Sequence, residues 1–296
     1  MNTIPAKTII TKKPDTSWFG TDYNMNIYKG CCHGCIYCDS RSDCYQIPEF
    51  DTVRAKENAL SIIQEELRKK TKSGVIGTGS MSDPYNPYEK QYGLTRKALE
   101  LIDTYHFGVG IATKSDLISR DIDILRRIQE HSPVICKITI TAYDDALSRK
   151  IEPLVSTSSK RFEAVCRLSE AGIFTGILMM PLLPYLTDNE DNVRSILHAA
   201  IQCGAKFIYP LFGLSLRSGQ REYLYGKFDE LFPELRLKQA YSGLYGSSYE
   251  CHSPNEKELH TLFVQECQKA GILYRMEDII AAYKNGYDYE QLSLFS

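Results

Sequence analysis

Gly30-Cys31-Cys32-His33-Gly34-Cys35-Ile36-Tyr37-Cys38 sets three cysteines, Cys31, Cys35 and Cys38, at the spacing C-x3-C-x2-C. Thiolates suit soft metals and iron–sulfur clusters, and a cubane cluster ordinarily takes a fourth ligand. Three closely spaced thiolates therefore leave one iron open to a small molecule. Tyr37, one residue before the third cysteine, offers a ring that shields the metal and faces a planar ligand. The same residues allow a second reading, a zinc site with Cys32, His33 or Cys44 as fourth ligand, which would make the chain a binding module without catalysis. Location separates the two. The stretch begins just past an extended run, Tyr23 to Tyr28, and parallel α/β folds place active sites at the carboxyl ends of their strands.

Outward from the loop, apolar strands alternate with amphipathic helices. A helix is expected over Thr52 to Lys70, with Ala59, Ile62, Ile63 and Leu67 on one face. A strand at Gly74–Gly77 precedes a helix opening near Thr95, and one at Val109–Thr113 precedes a helix with Ser119 as N-cap. A fourth strand, Val134–Thr141, leads to a helix carrying Phe162, Val165 and Cys166 inward. Phe174–Met179 feeds a helix with Val193, Ile196, Leu197 and Ala200, and Phe207–Leu211 closes the series. Six strand–helix units argue for a parallel sheet covered by helices. The expected class is α/β, a partial (β/α)6 TIM-like barrel over 1–215. A C-terminal extension over 216–296 follows, with helices around Glu256–Ala270 and Met276–Lys284, packed on the barrel.

Composition sets the outer limits. The chain has 296 residues, 43% hydrophobic and 24% charged, the balance of a globular protein. A net charge of −2 excludes a protein that holds nucleic acid by bulk charge alone. No apolar run approaches the ~20 residues of a membrane span, and Met1–Lys13 lacks the apolar core of a signal peptide. The expectation is a soluble, cytoplasmic protein. In that compartment the tight cysteine group, which also includes Cys32 and Cys44, reads as metal or redox chemistry rather than a disulfide framework. Cys136, Cys166, Cys203, Cys251 and Cys267 are scattered and read as small buried hydrophobes.

With the cysteine loop come Asn26-Ile27-Tyr28-Lys29-Gly30-Cys31, Ser82-Asp83-Pro84-Tyr85-Asn86-Pro87-Tyr88-Glu89, Thr113-Lys114-Ser115 with Arg120-Asp121, and Glu152-Pro153 with Arg161. In this order, from about residue 7 to 215, the sequence resembles the radical S-adenosylmethionine superfamily, and within it the group related to spore photoproduct lyase, often labelled DNA repair photolyases. The resemblance implies a 4Fe–4S cluster held by Cys31, Cys35 and Cys38, with S-adenosylmethionine on the open iron. One-electron cleavage would give methionine and a 5′-deoxyadenosyl radical that abstracts hydrogen, the cofactor doing the hard chemistry. It also implies an electron donor of flavodoxin or ferredoxin type.

Cofactor contacts are expected from Tyr37, from Gly79, Ser80 and Ser82 after the second strand, from Lys114 opposite the methionyl carboxylate, from Thr139 toward the ribose, and from Arg161 with Glu152. Each has a plainer reading: a βα turn, a solvated lysine, a β-branched strand residue, a structural ion pair. One departure stands out. The lyases carry a hydrogen-donating cysteine two residues before the serine matched by Ser82, and here that residue is Ser80. A hydroxyl O–H bond is too strong to quench a carbon radical as a thiol does, so repair of spore photoproduct itself is not implied; Cys44, Cys251 or a tyrosine are the substitute donors in reach of sequence reasoning.

Substrate signals are weaker. Between Tyr209 and Tyr245, aromatics interleave with Arg217, Arg221, Lys227, Arg236 and Lys238, the ingredients of a nucleic-acid groove or of a helical cover over the barrel mouth. A DNA lesion or modified base is the leading substrate, with a protein side chain or small metabolite as the alternative. The last residues, Gln291-Leu292-Ser293-Leu294-Phe295, resemble the peptide by which bacterial repair proteins dock on the DNA sliding clamp, through Gln291, Leu292, Leu294 and Phe295.

Overall fold

The computed structural model describes residues 1–287; the clamp-like segment at Gln291–Phe295 lies outside the described residues. Six parallel strands, β1 (Tyr23–Met25), β2 (Val75–Thr78), β3 (Gly108–Thr113), β4 (Val134–Thr139), β5 (Thr175–Met179) and β6 (Phe207–Pro210), lie side by side in chain order. Ile10–Lys12 adds an antiparallel edge to β1. The row does not close on itself, so the fold is an open, partial barrel. Helices α1 (Ala59–Arg68), α2 (Leu94–Thr104), α3 (Ile122–Gln129), α4 (Ser158–Glu170) and α5 (Glu190–Gln202) return the chain between strands.

Alternation along the strands divides the core in two. Met25, Ile76, Ile111, Ile138, Ile177 and Ile208 face the helices and join one apolar cluster. The concave face carries Val75, Ile135, Leu178 and Phe207, plugged by Phe19 and by Ile279 and Tyr283 of α9 (Met276–Lys284). Tyr283 donates its hydroxyl to the Phe19 carbonyl at 2.7 Å. That plug fills the amino ends of the strands. Toward the carboxyl ends the concave face stays half-open at Asn24, Ala112, Met180 and Tyr209.

Several local expectations shift. The start of the expected Thr52–Lys70 helix is a strand, Arg54–Lys56, which pairs with Asn2–Ile4 and Tyr28–Lys29. Ser119 is not an N-cap; Ser115 caps a 3-10 turn at Asp116–Asp121 by accepting from the Leu117 amide. Cys166 and Cys203 are bonded to each other, joining α4 to the end of α5, rather than standing as separate buried thiols. The aromatic and basic stretch holds two further helices, α6 (Gln220–Leu231) and α7 (Leu237–Tyr245), before α8 (Glu256–Ala270). Among the described residues no helix is long and apolar enough to cross a membrane.

Candidate active site

Gly30 turns the chain out of the strand region at φ +78°, and a Cβ there would fall 2.4 Å from the Thr52 carbonyl oxygen. Only glycine fits so close a backbone approach. The loop that follows is tied down from several sides. Cys31 N–H donates to the Phe50 carbonyl at 2.8 Å, Ile36 N–H to Ile151 at 3.0 Å, and the His33 carbonyl accepts from Leu154 N–H at 3.1 Å. Ser82 Oγ donates to the Gly30 carbonyl at 2.6 Å. From α6, the buried Gln220 carboxamide donates to the Tyr37 carbonyl at 2.9 Å.

Cys31, Cys35 and Cys38 line one cavity of about 100 Å³ at the carboxyl ends of β2, β3 and β4, together with Gly79, Ser80, Ser82, Lys114 and Thr139. Cys32 does not line it, and burial against the helix-side core pushes its thiol up to about 11. Cys35 and Cys38 as free thiols are also pushed up, by burial first, against the pull of Lys114. Burial pulls the Lys114 ammonium down, but Cys35, Glu152, Cys38 and Asp83 outweigh it and hold its pKa above the ordinary value. Its Nζ stands 5.7 Å from the Tyr37 ring centre, and no carboxylate lies within ion-pair distance of it among the described residues. A free cation across from three thiols is the charge arrangement a thiolate-bound cluster and a carboxylate-bearing ligand require. The residues fit the group the motif implies.

Gly79 leaves β2 at φ +91°, where a Cβ would meet the Ala112 carbonyl at 1.9 Å, so a ligand can approach the backbone there. Thr139, last in β4, turns toward the cavity. Ser80 is exposed and its Oγ reaches Asn24 Oδ1 at 3.3 Å. Ser82 spends its proton on Gly30, which makes it a brace of the loop as well as part of the lining.

Arg161 departs from its expected contact with cofactor. Like Tyr37, which is buried with Ile36, Phe228 and Tyr241, it does not line the cavity. It is fully buried, pairs with Glu152 at 2.5 Å and donates to the Thr139 carbonyl at 2.7 Å. Tyr37 donates its hydroxyl to the other Glu152 oxygen. Arg161 thus acts from behind the site, through Glu152 on Tyr37 and through the end of β4 on Thr139. Burial alone would raise the Glu152 carboxyl; Arg161, then Lys114 and the Tyr37 hydroxyl, hold it below the usual carboxylate range.

Two positioning residues escaped the sequence reading. Asp83 accepts from Thr113 Oγ1 at 2.7 Å and Lys114 N–H at 2.8 Å, with His33 Nδ1 at 3.5 Å. Burial lowers the His33 pKa, while Asp83 and the Cys31 thiol raise it, for a net rise. Asp83 lies next to the motif serine, so its neighbourhood was the available signal. Gln220 had none, because it comes from a helix 182 residues after Cys38.

Of the further ligands a zinc site would take, His33 lines the cavity beside the three cysteines with its Nδ1 3.5 Å from Asp83, whereas Cys44 is exposed, with Arg217 Nη1 donating to its sulfur at 3.4 Å. Neither Cys44 nor the buried Cys251 lines the cavity. The aromatic and basic stretch is mostly cover. Phe228 and Tyr241 pack with Cys35, Ile36 and Tyr37. Arg221 donates to backbone carbonyls at Leu216, Gly246 and Ser248, Arg217 meets Asp39 and Tyr249, and Lys227 and Lys238 meet Glu230 and Asp229.

An open parallel barrel with a three-cysteine loop at the carboxyl ends of its strands defines the class. The Radical SAM superfamily profile matches residues 25–196, more than half of the chain, and the protein belongs to that superfamily; it is an enzyme of the radical SAM kind. An uncharacterized protein of Methanocaldococcus jannaschii is 35% identical over 187 residues, 62% of this chain and 69% of that one. An uncharacterized protein of Mycobacterium tuberculosis is 27% identical over 245 residues, 80% of this chain and 72% of its own. Among solved structures, spore photoproduct lyase complexed with dinucleoside spore photoproduct superposes with a TM-score of 0.62 at 18% identity, covering 88% of this chain and 77% of that one. The radical S-adenosylmethionine methyltransferase TsrM from Kitasatospora setae gives 0.54 at 11% identity, over 83% and 51%. At these identities the two structures speak for the fold.

Proposed function

We propose that Cys31, Cys35 and Cys38 hold a 4Fe–4S cluster and that S-adenosylmethionine binds in the cavity they share with Lys114, for radical chemistry on a nucleic-acid substrate. When bound, this pair supplies a one-electron cleavage of the sulfonium and a 5′-deoxyadenosyl radical for hydrogen abstraction. The chain's own residues do the rest. Lys114 neutralises the methionyl carboxylate, Gly79 admits it to the backbone, Thr139 meets the ribose, and Tyr37 covers the cluster edge from a ring fixed by Glu152 and Arg161. The carrying observation is that the three thiols and one ammonium with no carboxylate in direct ion-pair contact among the described residues meet at a single cavity at the strand ends. We divide the chain into the barrel, 1–215, and the extension, 216–296, whose Gln220 and aromatic core close the outer side of the loop. The electron comes from a flavodoxin- or ferredoxin-type donor, and Gln291, Leu292, Leu294 and Phe295 form a sliding-clamp contact.

The nucleic-acid part is supported by the motif resemblance; of the interleaved cations, Arg217 and Arg221 are taken up by groups of the chain itself, while Lys227 and Lys238 stand in exposed ion pairs. The same cofactor chemistry on a protein side chain or metabolite is the competing outcome. Anaerobic purification tests the cofactor reading: a brown protein whose visible absorption bleaches with dithionite is expected, with iron lost in Cys31→Ala, Cys35→Ala or Cys38→Ala and kept in Cys32→Ala. Iron lost with Cys32 and kept without Cys31 refutes the ligand set. Release of 5′-deoxyadenosine that rises with DNA and not with peptide tests the substrate.

A further inference from the structure

Among the described residues, one arginine and one lysine are buried, Arg161 and Lys137. Arg161 has Glu152. Lys137, 3% exposed, has no carboxylate within ion-pair distance and no hydrogen-bond partner for its ammonium among the described residues. The charged groups that act on it are the Cys136 thiol and a second ammonium, Lys13. A buried cation without a counter-charge is costly. Its Nζ lies 4.9 Å from the Phe19 ring centre, but a cation–π contact is weaker than the desolvation it would have to offset. The arrangement makes sense if a partner arrives from outside the chain.

Its position says from where. Lys137 shares the concave face of β4 with Thr139, two residues on, and pairs in register with Ala112 of β3. Thr139 and Ala112 both line the cysteine cavity, so Lys137 occupies the layer directly beneath it. Its ammonium lies over Gly110, two residues before Ala112 on β3, where a Cβ would fall 3.3 Å from Lys137 Nζ and 3.0 Å from Thr21 Cγ2. Phe19 continues the layer to Trp18, with ring centres 5.0 Å apart, and to Tyr209, at 5.6 Å. Trp18 is 43% exposed, an unusual place for an indole without a ligand. Farther up, Asn26 Oδ1 is buried without a hydrogen-bond partner.

We propose that Lys137 is the anion-binding residue of a substrate basin on the concave face, where it receives the phosphate of a nucleotide whose base lies against the Trp18–Tyr209 pair. This rests on the nucleic-acid reading above. The flexible four-carbon stem of lysine lets the ammonium rise toward Ala112 as the phosphate enters, and an aromatic pair is a sequence-tolerant platform for a base. The cofactor cavity and the basin then meet at Thr139 and Ala112, which puts the reacting sugar or base next to the site of radical formation.

The test uses the full chain, anaerobically loaded with cluster and S-adenosylmethionine, and calorimetric titration with three probes: thymidylyl-thymidine (one phosphodiester), its uncharged methyl phosphotriester, and inorganic phosphate. The phosphodiester should bind the wild type, and Lys137→Met should weaken it by about tenfold or more, the loss of one charge-assisted hydrogen bond. The triester should bind both proteins equally and weakly. Lys137→Gln, which keeps a polar group, should behave like Lys137→Met, and both should keep the cluster spectrum and S-adenosylmethionine affinity. If inorganic phosphate binds in a Lys137-dependent way while the dinucleotide does not bind, the anion site stands and the nucleic-acid reading falls. If the dinucleotide binds the wild type and both variants equally, nucleic acid stands and the assignment of Lys137 falls. Binding of neither probe overturns it too.

Discussion

Replacing Arg161 by Met should be the most damaging single change outside the cluster ligands. The pair Arg161–Glu152 has both side chains fully buried and 2.5 Å apart, and Arg161 also serves Ser148 Oγ at 2.8 Å and the Thr139 carbonyl at 2.7 Å. Removing one partner of a buried pair strands the other charge, at a cost of ~3–5 kcal/mol, a large share of the ~5–15 kcal/mol that keeps a domain folded. Most of that cost should belong to the Glu152 charge. Glu152→Gln with Arg161→Met removes it while leaving an acceptor for the Tyr37 hydroxyl, so the double variant should recover ~2 kcal/mol or more over Arg161→Met, within the range of coupled neighbours. Urea unfolding of the three proteins, compared at equal slope, reads this out.

The pH dependence has a fixed sign. The folded pKa of Glu152 is depressed, so the stability from this pair is present above the ordinary carboxylate pKa and lost as pH falls through the folded value. In Arg161→Met, burial lifts the same carboxyl, and protonation relieves the stranded charge, so the deficit against the wild type should narrow in acid. A double variant no more stable than Arg161→Met, or a deficit that does not change with pH, refutes the stranded-charge account and leaves lost packing as the cause.

Three further outcomes are expected. Lys114→Ala should leave iron content and the visible spectrum intact while weakening S-adenosylmethionine binding by ~1.5–3 kcal/mol; unchanged affinity by equilibrium dialysis removes Lys114 from the site. Ser82→Ala should destabilise by ~1–3 kcal/mol because the buried Gly30 carbonyl loses its donor, whereas Ser80→Ala, at an exposed position, should stay within ~0.5 kcal/mol; equal thermal shifts contradict the brace. Burial lowers the Lys137 pKa to about 8, so between pH ~8 and the ordinary lysine value the unfolded chain binds more protons, and wild-type stability should rise relative to Lys137→Met by ~3 kcal/mol at most. A constant difference across that range shows that Lys137 is not desolvated.

The local grammar carried much of this protein. Six apolar strands between amphipathic helices made a parallel sheet legible, because 2.0 and 3.6 residue periods report which face a side chain buries. The spacing of Cys31, Cys35 and Cys38 could be read because loop-bound ligands lie close in sequence, and Lys114 and Thr139 could be placed because strand ends in such sheets converge on one edge. What the sequence left open depends on contacts between distant segments. Whether Arg161 touches ligand or braces Glu152, whether Ser82 binds or ties down Gly30, and whether Arg217 and Arg221 reach nucleic acid or other groups of the chain are choices that only the folded packing makes. No periodicity encodes them. The Arg54–Lys56 strand overrode local helical pattern because Tyr28–Lys29 and Asn2–Ile4 supplied a ladder on either side, and Lys137, an unremarkable residue of a strand, became a buried cation only when Phe19 and α9 closed the barrel floor around it.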